Sequence, residues 1–206
     1  MKKKYVSNSQ DSVRMFKSSF LESLSKVHFT VPLIIFIPVI VFCVYKDFQN
    51  AMGLVTFFEL FILGLFVWTI TEYVMHRFVF HYVPEDKPWA LRLHFIFHGV
   101  HHDYPSDARR LVLPPSVSIP LATLFYFLFN AILPAGEIWG FFPGFILGYL
   151  IYDLTHYAIH HFNFKGSIWK KIKQHHMLHH YQDPNKGYGV SSPLWDKVFG
   201  SDFGKK

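Results

Sequence analysis

Four apolar segments, each long enough to cross a lipid bilayer, constrain the fold of this chain more than any other feature. They occupy residues 29–45, 51–75, 113–133 and 138–159. A transmembrane helix needs about 20 mostly apolar residues, and a composition that is 51% hydrophobic and 19% aromatic is unusual for a soluble domain. We therefore predict an all-α integral membrane protein with four transmembrane helices, built from a leader over residues 1–28 and a membrane domain over residues 29–206.

The Lys and Arg residues predict how these helices are oriented. Six lie in the leader, which lacks the cleavage-site pattern of a signal peptide, five lie in residues 76–112, and eight follow His160. The two connections on the other side together hold only Lys46. Because cytoplasmic segments carry the excess of Lys and Arg, both termini and residues 76–112 are predicted to face the cytoplasm. Topology thus accounts for the net charge of +6, and no nucleic-acid-binding motif accompanies it.

The histidines are clustered. Thirteen of the 14 lie between His76 and His180, in the segments 76–81, 94–102, 156–161 and 175–180. Residues three or four apart share one face of a helix. This spacing groups His98 with His101 and His102, His156 with His160, and His176 with His179 and His180. Neutral imidazole is the commonest protein metal ligand. Because these rings are more than one four-coordinate zinc ion needs, two metal ions are predicted.

The remaining histidines are less clear from spacing. His76 and His81 are five residues apart, which places them roughly 140° apart around an α-helix, so they either surround a site at a helix end or flank a bulge. Three further histidines either hydrogen-bond to a metal ligand without binding the metal or have no role at the site: His94, His161 and His175. His28 is interpreted as an interfacial residue, not a ligand.

Two acidic residues, Glu72 and Asp153, stand in apolar helices, where ionisable groups are usually functional. Asp153 precedes His156 by three residues and is predicted to accept the second ring N–H of that histidine, which would fix its tautomer. The alternative is a hydrogen bond between helices. The five tryptophans are expected to be interfacial anchors. The single Cys43 excludes an intrachain disulfide and thiolate metal clusters.

Several familiar catalytic patterns are absent from the sequence: the His-Glu-x-x-His zinc motif, a phosphate-binding glycine loop, a nucleophile elbow and the Glu-x-x-His pattern of soluble di-iron bundles. The motifs that are present resemble the fatty acid hydroxylase/sterol desaturase superfamily, and are most similar to its fatty acid 2-hydroxylase branch. The matching segments are residues 76–81 (HRFVFH), 98–102 (HGVHH), 107–115 (DARRLVLPP), 152–160 (YDLTHYAIH), 176–180 (HMLHH) and 187–200 (GYGVSSPLWDKVFG).

This resemblance, which covers about residues 55–200, implies a cytosolic His-rich helical cap over the four spans. It implies ten metal ligands, His76, His81, His98, His101, His102, His156, His160, His176, His179 and His180. The family's functional metal is taken to be a pair of iron ions, although zinc can occupy such sites in isolated protein. Eukaryotic 2-hydroxylases commonly carry a fused cytochrome b5-like domain, so a separate cytochrome b5-like or ferredoxin-type electron donor is expected here.

The implied function is O₂-dependent hydroxylation of a lipid acyl chain, at C2 if the resemblance holds at the level of the branch. Arg109 and Arg110 are candidates for holding the polar head of the lipid. A sterol or carotenoid hydroxylase, or a desaturase, would share every ligand. From another class, a membrane metal-handling protein remains open, although transporter sites usually lie near the bilayer midplane. So does an inactive relative that keeps zinc.

Overall fold

The computed structural model describes residues 5–83 and 86–204, and within them all regular structure is helical. The leader and first two spans contain α1 (Ser19–Leu24), α2 (Val31–Gln49) and α3 (Leu54–Val74), and the next segment contains α4 (Pro88–His94) and α5 (Val100–Asp103). There follow α6 (Pro115–Ile132), α7 (Ile138–His161), α8 (Ser167–Tyr181) and α9 (Leu194–Val198). Helices α2, α3, α6 and α7 are long and apolar enough to cross a membrane, so the predicted four-span, all-helical architecture is confirmed.

Helix α7 forms the centre of the bundle and packs against α2, α3 and α6. Of its most apolar 18-residue window, 78% of residues are buried, against 6% to 22% in the other three spans. Glycines let α3 and α7 approach closely, since a Cβ on Gly144 would lie 1.9 Å from the Phe61 carbonyl oxygen. A Cβ on Gly64 would lie 2.1 Å from the Phe141 carbonyl oxygen. Small residues at such crossings are typical of membrane helix packing.

The outer faces of the other spans are apolar. Large side chains on α2, α3 and α6 are exposed, including Ile34, Val41, Val55, Ile62 and Phe127. Soluble proteins rarely expose continuous apolar surface of this kind. These faces are therefore in contact with lipid, as the predicted membrane location requires.

Some predicted boundaries were wrong. The expected turn over residues 46–50 is mostly helical, because α2 continues to Gln49 and the connection contracts to residues 50–53. This short connection needs Ala51 in a left-handed conformation, at φ 51°. The second span also runs past Met75, since a π-helical turn over Met75–Phe80 extends α3 without a break.

The leader packs against the segment that follows the second span. The backbone amides of Val6 and Ser7 donate to the carbonyl of Asp103, and the amide of Val27 donates to the carbonyl of Arg109. Met15 and Val27 are buried. The three lysines at positions 2–4, which contribute to the predicted charge bias, lie outside the described residues. Helices α4, α5, α8 and α9, together with residues 5–28, are called the cap below.

Candidate metal centre

Ten histidines form two groups where the cap meets the ends of α3 and α7. In each group, one nitrogen atom per ring lies within 4.8 Å of the corresponding nitrogen of every other ring. The first group contains His76, His81, His98, His102 and His179, and the second contains His101, His156, His160, His176 and His180. The structure thus brings together all ten sequence-predicted residues and divides them equally, a division that spacing alone left open.

A π-helical turn over Met75–Phe80 brings the rings of His76 and His81 to the same side of the helix. The amide of His81 donates to the carbonyl of His76, a bond that spans five residues instead of the usual four, at an N···O distance of 3.1 Å. This widened turn superimposes residues five apart. The two Nε2 atoms lie 3.2 Å apart. The structure thus combines the two arrangements that the sequence left open, because the bulge lies at the end of the second span. A second π-helical turn, Phe95–Gly99, carries His98 to the same place, with its Nε2 3.0 Å from that of His76.

The second group is built from ordinary helical spacing. His156 and His160 lie one turn apart on α7, and His176 and His180 lie one turn apart on α8. The Nε2 atoms of His160 and His176 are 3.0 Å apart, and those of His176 and His180 are 3.1 Å apart. His101 of α5 completes the group. Two helix faces that meet at one level therefore supply four of the five rings.

Burial keeps these rings neutral. Burial lowers the pKa of six histidines that lie outside the spans, and neighbouring rings lower it further: His81, His98, His101, His102, His176 and His180. Burial also lowers the pKa of His179, to about 4. A neutral imidazole offers a lone pair to a metal ion, whereas an imidazolium does not. Two compact sets of five neutral nitrogen donors fit a pair of divalent transition-metal ions.

The loop over residues 186–191 orients two rings of the first group. The Nδ1 atom of His76 donates to the carbonyl of Tyr188 at 2.5 Å, and that of His179 donates to the carbonyl of Lys186 at 2.7 Å. Each bond places the proton on Nδ1 and leaves the Nε2 lone pair facing the group. Sequence reasoning missed this support because backbone carbonyls leave no signature in side-chain spacing.

The role predicted for Asp153 is not what the structure shows. Its carboxylate accepts hydrogen bonds from the hydroxyl of Tyr149, at 2.7 Å, and from the amide of Leu113, at 3.4 Å. Asp153 and His156 are three apart on α7, but the described bonds of the carboxylate go to the preceding turn and to the entry of the third span. Neither bond is the predicted alternative of a hydrogen bond between two helices, because Tyr149 lies on α7 itself and Leu113 precedes α6.

The structure gives Arg109 and Arg110 protein partners, and their proposed role in holding a lipid head stays a prediction. Arg110 also borders the apolar cavity described below. The Arg110 side chain is buried, 2.7 Å from the carboxylate of Glu22 and 3.4 Å from that of Asp107. It also donates to the Ser25 hydroxyl, so its donors already hold the leader. The Arg109 side chain is exposed, and it is the backbone of Arg109 that binds Asp107 and Val27.

The three surplus histidines lie outside both groups. The Nδ1 atom of His94 donates to the carbonyl of Phe80 at 2.7 Å, and Phe80 belongs to the π-helical turn that carries His76. His175 lies 3.0 Å from the carboxylate of Asp196, and His161 packs against Tyr157. His28 hydrogen-bonds Thr30 at the start of the first span and belongs to neither group.

A largely apolar cavity of about 220 Å³ leads to both groups. Its floor includes His98 of the first group and His101 and His156 of the second. Its walls come from three parts of the molecule, with Leu21 and Leu24 from the leader, Phe97 and Val112 from the segment after the second span, and Val117 from α6. Leu21, Leu24 and Phe97 are also exposed, so the cavity opens between α1 and the second π-helical turn.

Comparison with known proteins agrees with these features. The family model described as "Fatty acid hydroxylase" matches residues 61–201. The chain is 37% identical to the dihydroceramide fatty acyl 2-hydroxylase FAH1 of Arabidopsis thaliana, over 93% of this chain and 81% of that protein. It is 42% identical to the ceramide very long chain fatty acid hydroxylase scs7 of Schizosaccharomyces pombe, over 89% of this chain and 53% of that protein.

The chain is also 37% identical to the Homo sapiens fatty acid 2-hydroxylase, over 91% of this chain and 56% of that protein. It therefore spans about half the length of the fission yeast and human relatives. Among solved structures, full-length scs7p, in which only the hydroxylase domain is visible, superimposes with a TM-score of 0.84 and 38% identity. That match covers 90% of this chain and 70% of the scs7p chain.

Proposed function

The chain belongs to the fatty acid hydroxylase family, and from this premise we propose that it is a membrane monooxygenase that hydroxylates a lipid acyl chain at C2. The observation that carries the proposal is the apolar cavity whose floor contains rings from both histidine groups. The names of the relatives, fatty acid, dihydroceramide and ceramide hydroxylases, support an acyl substrate. A free fatty acid, an acyl thioester or a sphingolipid would each present such a chain.

The ten histidines are proposed to hold two iron ions, one in each group of five. When bound, iron supplies the redox chemistry that activates O₂ against a strong C–H bond. The balance of the reaction is one O₂, two electrons and two protons for each alcohol and water formed. The electrons would come from a separate cytochrome b5-like or ferredoxin-type protein. Zinc would fit the same nitrogen donors, without redox chemistry.

The protein itself would position the substrate and exclude water. The aliphatic walls of the cavity, such as Leu24, Val112 and Val117, suit an acyl chain and hold it against the histidine groups. C2 adjoins the carbonyl carbon, so the polar head would lie beside the reacting carbon. The rest of the tail would leave through the opening between α1 and the second π-helical turn, towards lipid.

The metal groups and both termini are proposed to face the cytoplasm. The support is the distribution of Lys and Arg, with 19 of the 20 on the side of the leader, residues 76–112 and the segment after His160. A soluble cytoplasmic reductase or carrier would then reach the cap directly.

The experiment is lipid mass spectrometry of cells that express the protein under ¹⁸O₂, compared with cells that express His179→Ala. We expect one labelled oxygen atom at C2 of an acyl chain, lost in the variant. A labelled hydroxyl on a sterol or carotenoid, or a new double bond without label, would contradict the proposal and favour another reaction of the superfamily. Metal accumulation without any lipid change would favour the metal-handling alternative.

A further inference from the structure

Two buried carboxylates hold the loop that orients His76 and His179. Asp196, at the start of α9, is fully buried and accepts hydrogen bonds from the amides of Tyr188 and Gly189, at 2.8 and 2.7 Å. The hydroxyl of Ser201 donates to the same carboxylate at 2.7 Å. The amide of Tyr188 belongs to the residue whose carbonyl accepts the His76 proton, so Asp196 fixes the loop at the point where it supports the ring.

Glu72 holds the adjoining part of the loop from the other side. It is buried on α3, one turn before His76, and accepts from the amides of Val190 and Ser191, both at 2.8 Å. The hydroxyl of Ser191 donates to its second oxygen. Glu72 therefore binds the loop to the same continuous helix that carries His76. This fixes the distance between the His76 ring and its partner, the carbonyl of Tyr188.

Four consecutive amides, of residues 188 to 191, thus point at two carboxylates. Gly189 makes this close approach possible, because a Cβ there would lie 2.9 Å from the carboxylate of Asp196 and 2.1 Å from the carbonyl oxygen of Ser192. Charged acceptors form stronger bonds to backbone N–H groups than neutral acceptors do. The described bonds of the two carboxylates reach the loop, the Ser201 hydroxyl and one ring outside the two groups, that of His175.

We propose that Glu72 and Asp196 are positioning residues for the metal ion of the first group, acting through the carbonyls of Tyr188 and Lys186. This inference rests on the proposed function in that it takes each histidine group to hold a metal ion. Outer hydrogen-bond partners of a ligand typically contribute 10- to 100-fold to metal affinity. Because the loop carbonyls bind His76 and His179, the effect falls on the first group and not on the second.

The test measures Zn²⁺ retained by the full-length purified protein during titration with a chelator. Asp196→Asn and Glu72→Gln are each introduced into two backgrounds, His160→Ala, which leaves the first group intact, and His81→Ala, which leaves the second group intact. We expect each substitution to weaken retention by about tenfold in the His160→Ala background and to leave it unchanged in the His81→Ala background. The matched control is Asp47→Asn, which alters a buried carboxylate at the far end of α2. It should leave zinc retention unchanged in both backgrounds.

Equal loss of zinc in both backgrounds would overturn the inference, because it would mean that the carboxylates serve the fold in general. No loss in either background would overturn it as well. If Asp196→Asn does not fold, Glu72→Gln tests the same loop from the other side. The readout is metal retention without turnover, so a failure to hydroxylate lipid in the labelling experiment leaves this result unaffected, and the two proposals fail separately.

Discussion

The Nε2 atoms of His101 and His156 lie 2.9 Å apart, although 55 residues separate the two histidines in sequence. His101 comes from the short helix α5 of the cap, and His156 comes from the last turns of the central helix α7. Both also line the floor of the apolar cavity. The junction of cap and bundle is therefore the place where nitrogen donors and an opening for an acyl chain coincide.

The neighbouring residues His160 and His161 provide a matched test of the two groups. His160 belongs to the second group, whereas His161 packs on Tyr157 outside it. We expect His160→Ala to lower the metal content of the purified protein below two ions per chain, because the four remaining rings no longer surround the ion of the second group. The His161→Ala protein should retain two metal ions per chain. Elemental analysis after gel filtration measures both, and equal metal content in the two variants would contradict the division into groups.

The cavity can be filled without touching a histidine. Val117→Trp places an indole in the cavity wall, and we expect kcat/KM for the acyl substrate to fall by about tenfold or more, since even one methylene is felt in an apolar pocket. Metal content should be unchanged. Val41→Trp, on an exposed face of α2, is the control and should retain full activity. Full activity in Val117→Trp would show that the acyl chain reaches the centre by another route.

The leader should contribute a pH-dependent part of the stability. Burial by itself raises the pKa of Glu22, but the Lys26 ammonium, backbone amides of the leader and the Arg110 charge lower it to about 2, from an ordinary value of 4.5. A carboxylate with a lowered pKa stabilises the fold above pH 4.5, and this contribution is lost as the pH falls towards 2. Glu22→Gln should therefore lower the Tm in detergent at pH 7.

The difference in Tm between the wild-type protein and Glu22→Gln should narrow as the pH is lowered from 5 to 3. Asp11→Asn, which removes an exposed carboxylate of the leader, is the control and should match the wild type throughout. A difference that stays constant or widens at low pH would contradict the role assigned to the Glu22 charge.

Close packing of α3 on α7 predicts a strong effect of one methyl group. Gly144→Ala would place a Cβ 1.9 Å from the Phe61 carbonyl oxygen, so the helices must separate. We expect a loss of roughly 1–3 kcal/mol in the free energy of unfolding, or more, as for other overpacked cores. Gly53→Ala, with open space around it, is the control. Thermal unfolding in detergent measures both, and equal Tm values would contradict the close approach.

Local periodicity predicted the spans and grouped eight of the ten histidines, whereas the full set of ten came from the family resemblance. Apolar length defines a transmembrane helix, and spacings of three and four define a helix face. The pair His76 and His81 shows where this reasoning stops, since their spacing of five fits an α-helix poorly and only the π-helical turn brings them together. Helix periodicity assumes a regular helix, and a single widened turn changes which residues share a face.

Long-range partners could not be predicted from spacing. Arg110 was a candidate for holding the polar head of the lipid, and spacing gave no sign that the leader, 88 residues earlier, supplies it with the carboxylate of Glu22. Trp68 was expected at the membrane interface, and it lies instead in the bundle core against Phe145 and Tyr149. Side-chain type indicates which partners a residue can have, whereas tertiary packing decides which of them it meets.

The most direct test of the account is incorporation of labelled oxygen by the purified protein. The protein is loaded with iron, supplied with a chemical reductant, an acyl lipid and ¹⁸O₂, and compared with His160→Ala and His161→Ala. We expect one ¹⁸O atom at C2 of the acyl chain with the wild type and His161→Ala, and none with His160→Ala. Absence of label from the iron-loaded wild type, or equal labelling by His160→Ala, would contradict it.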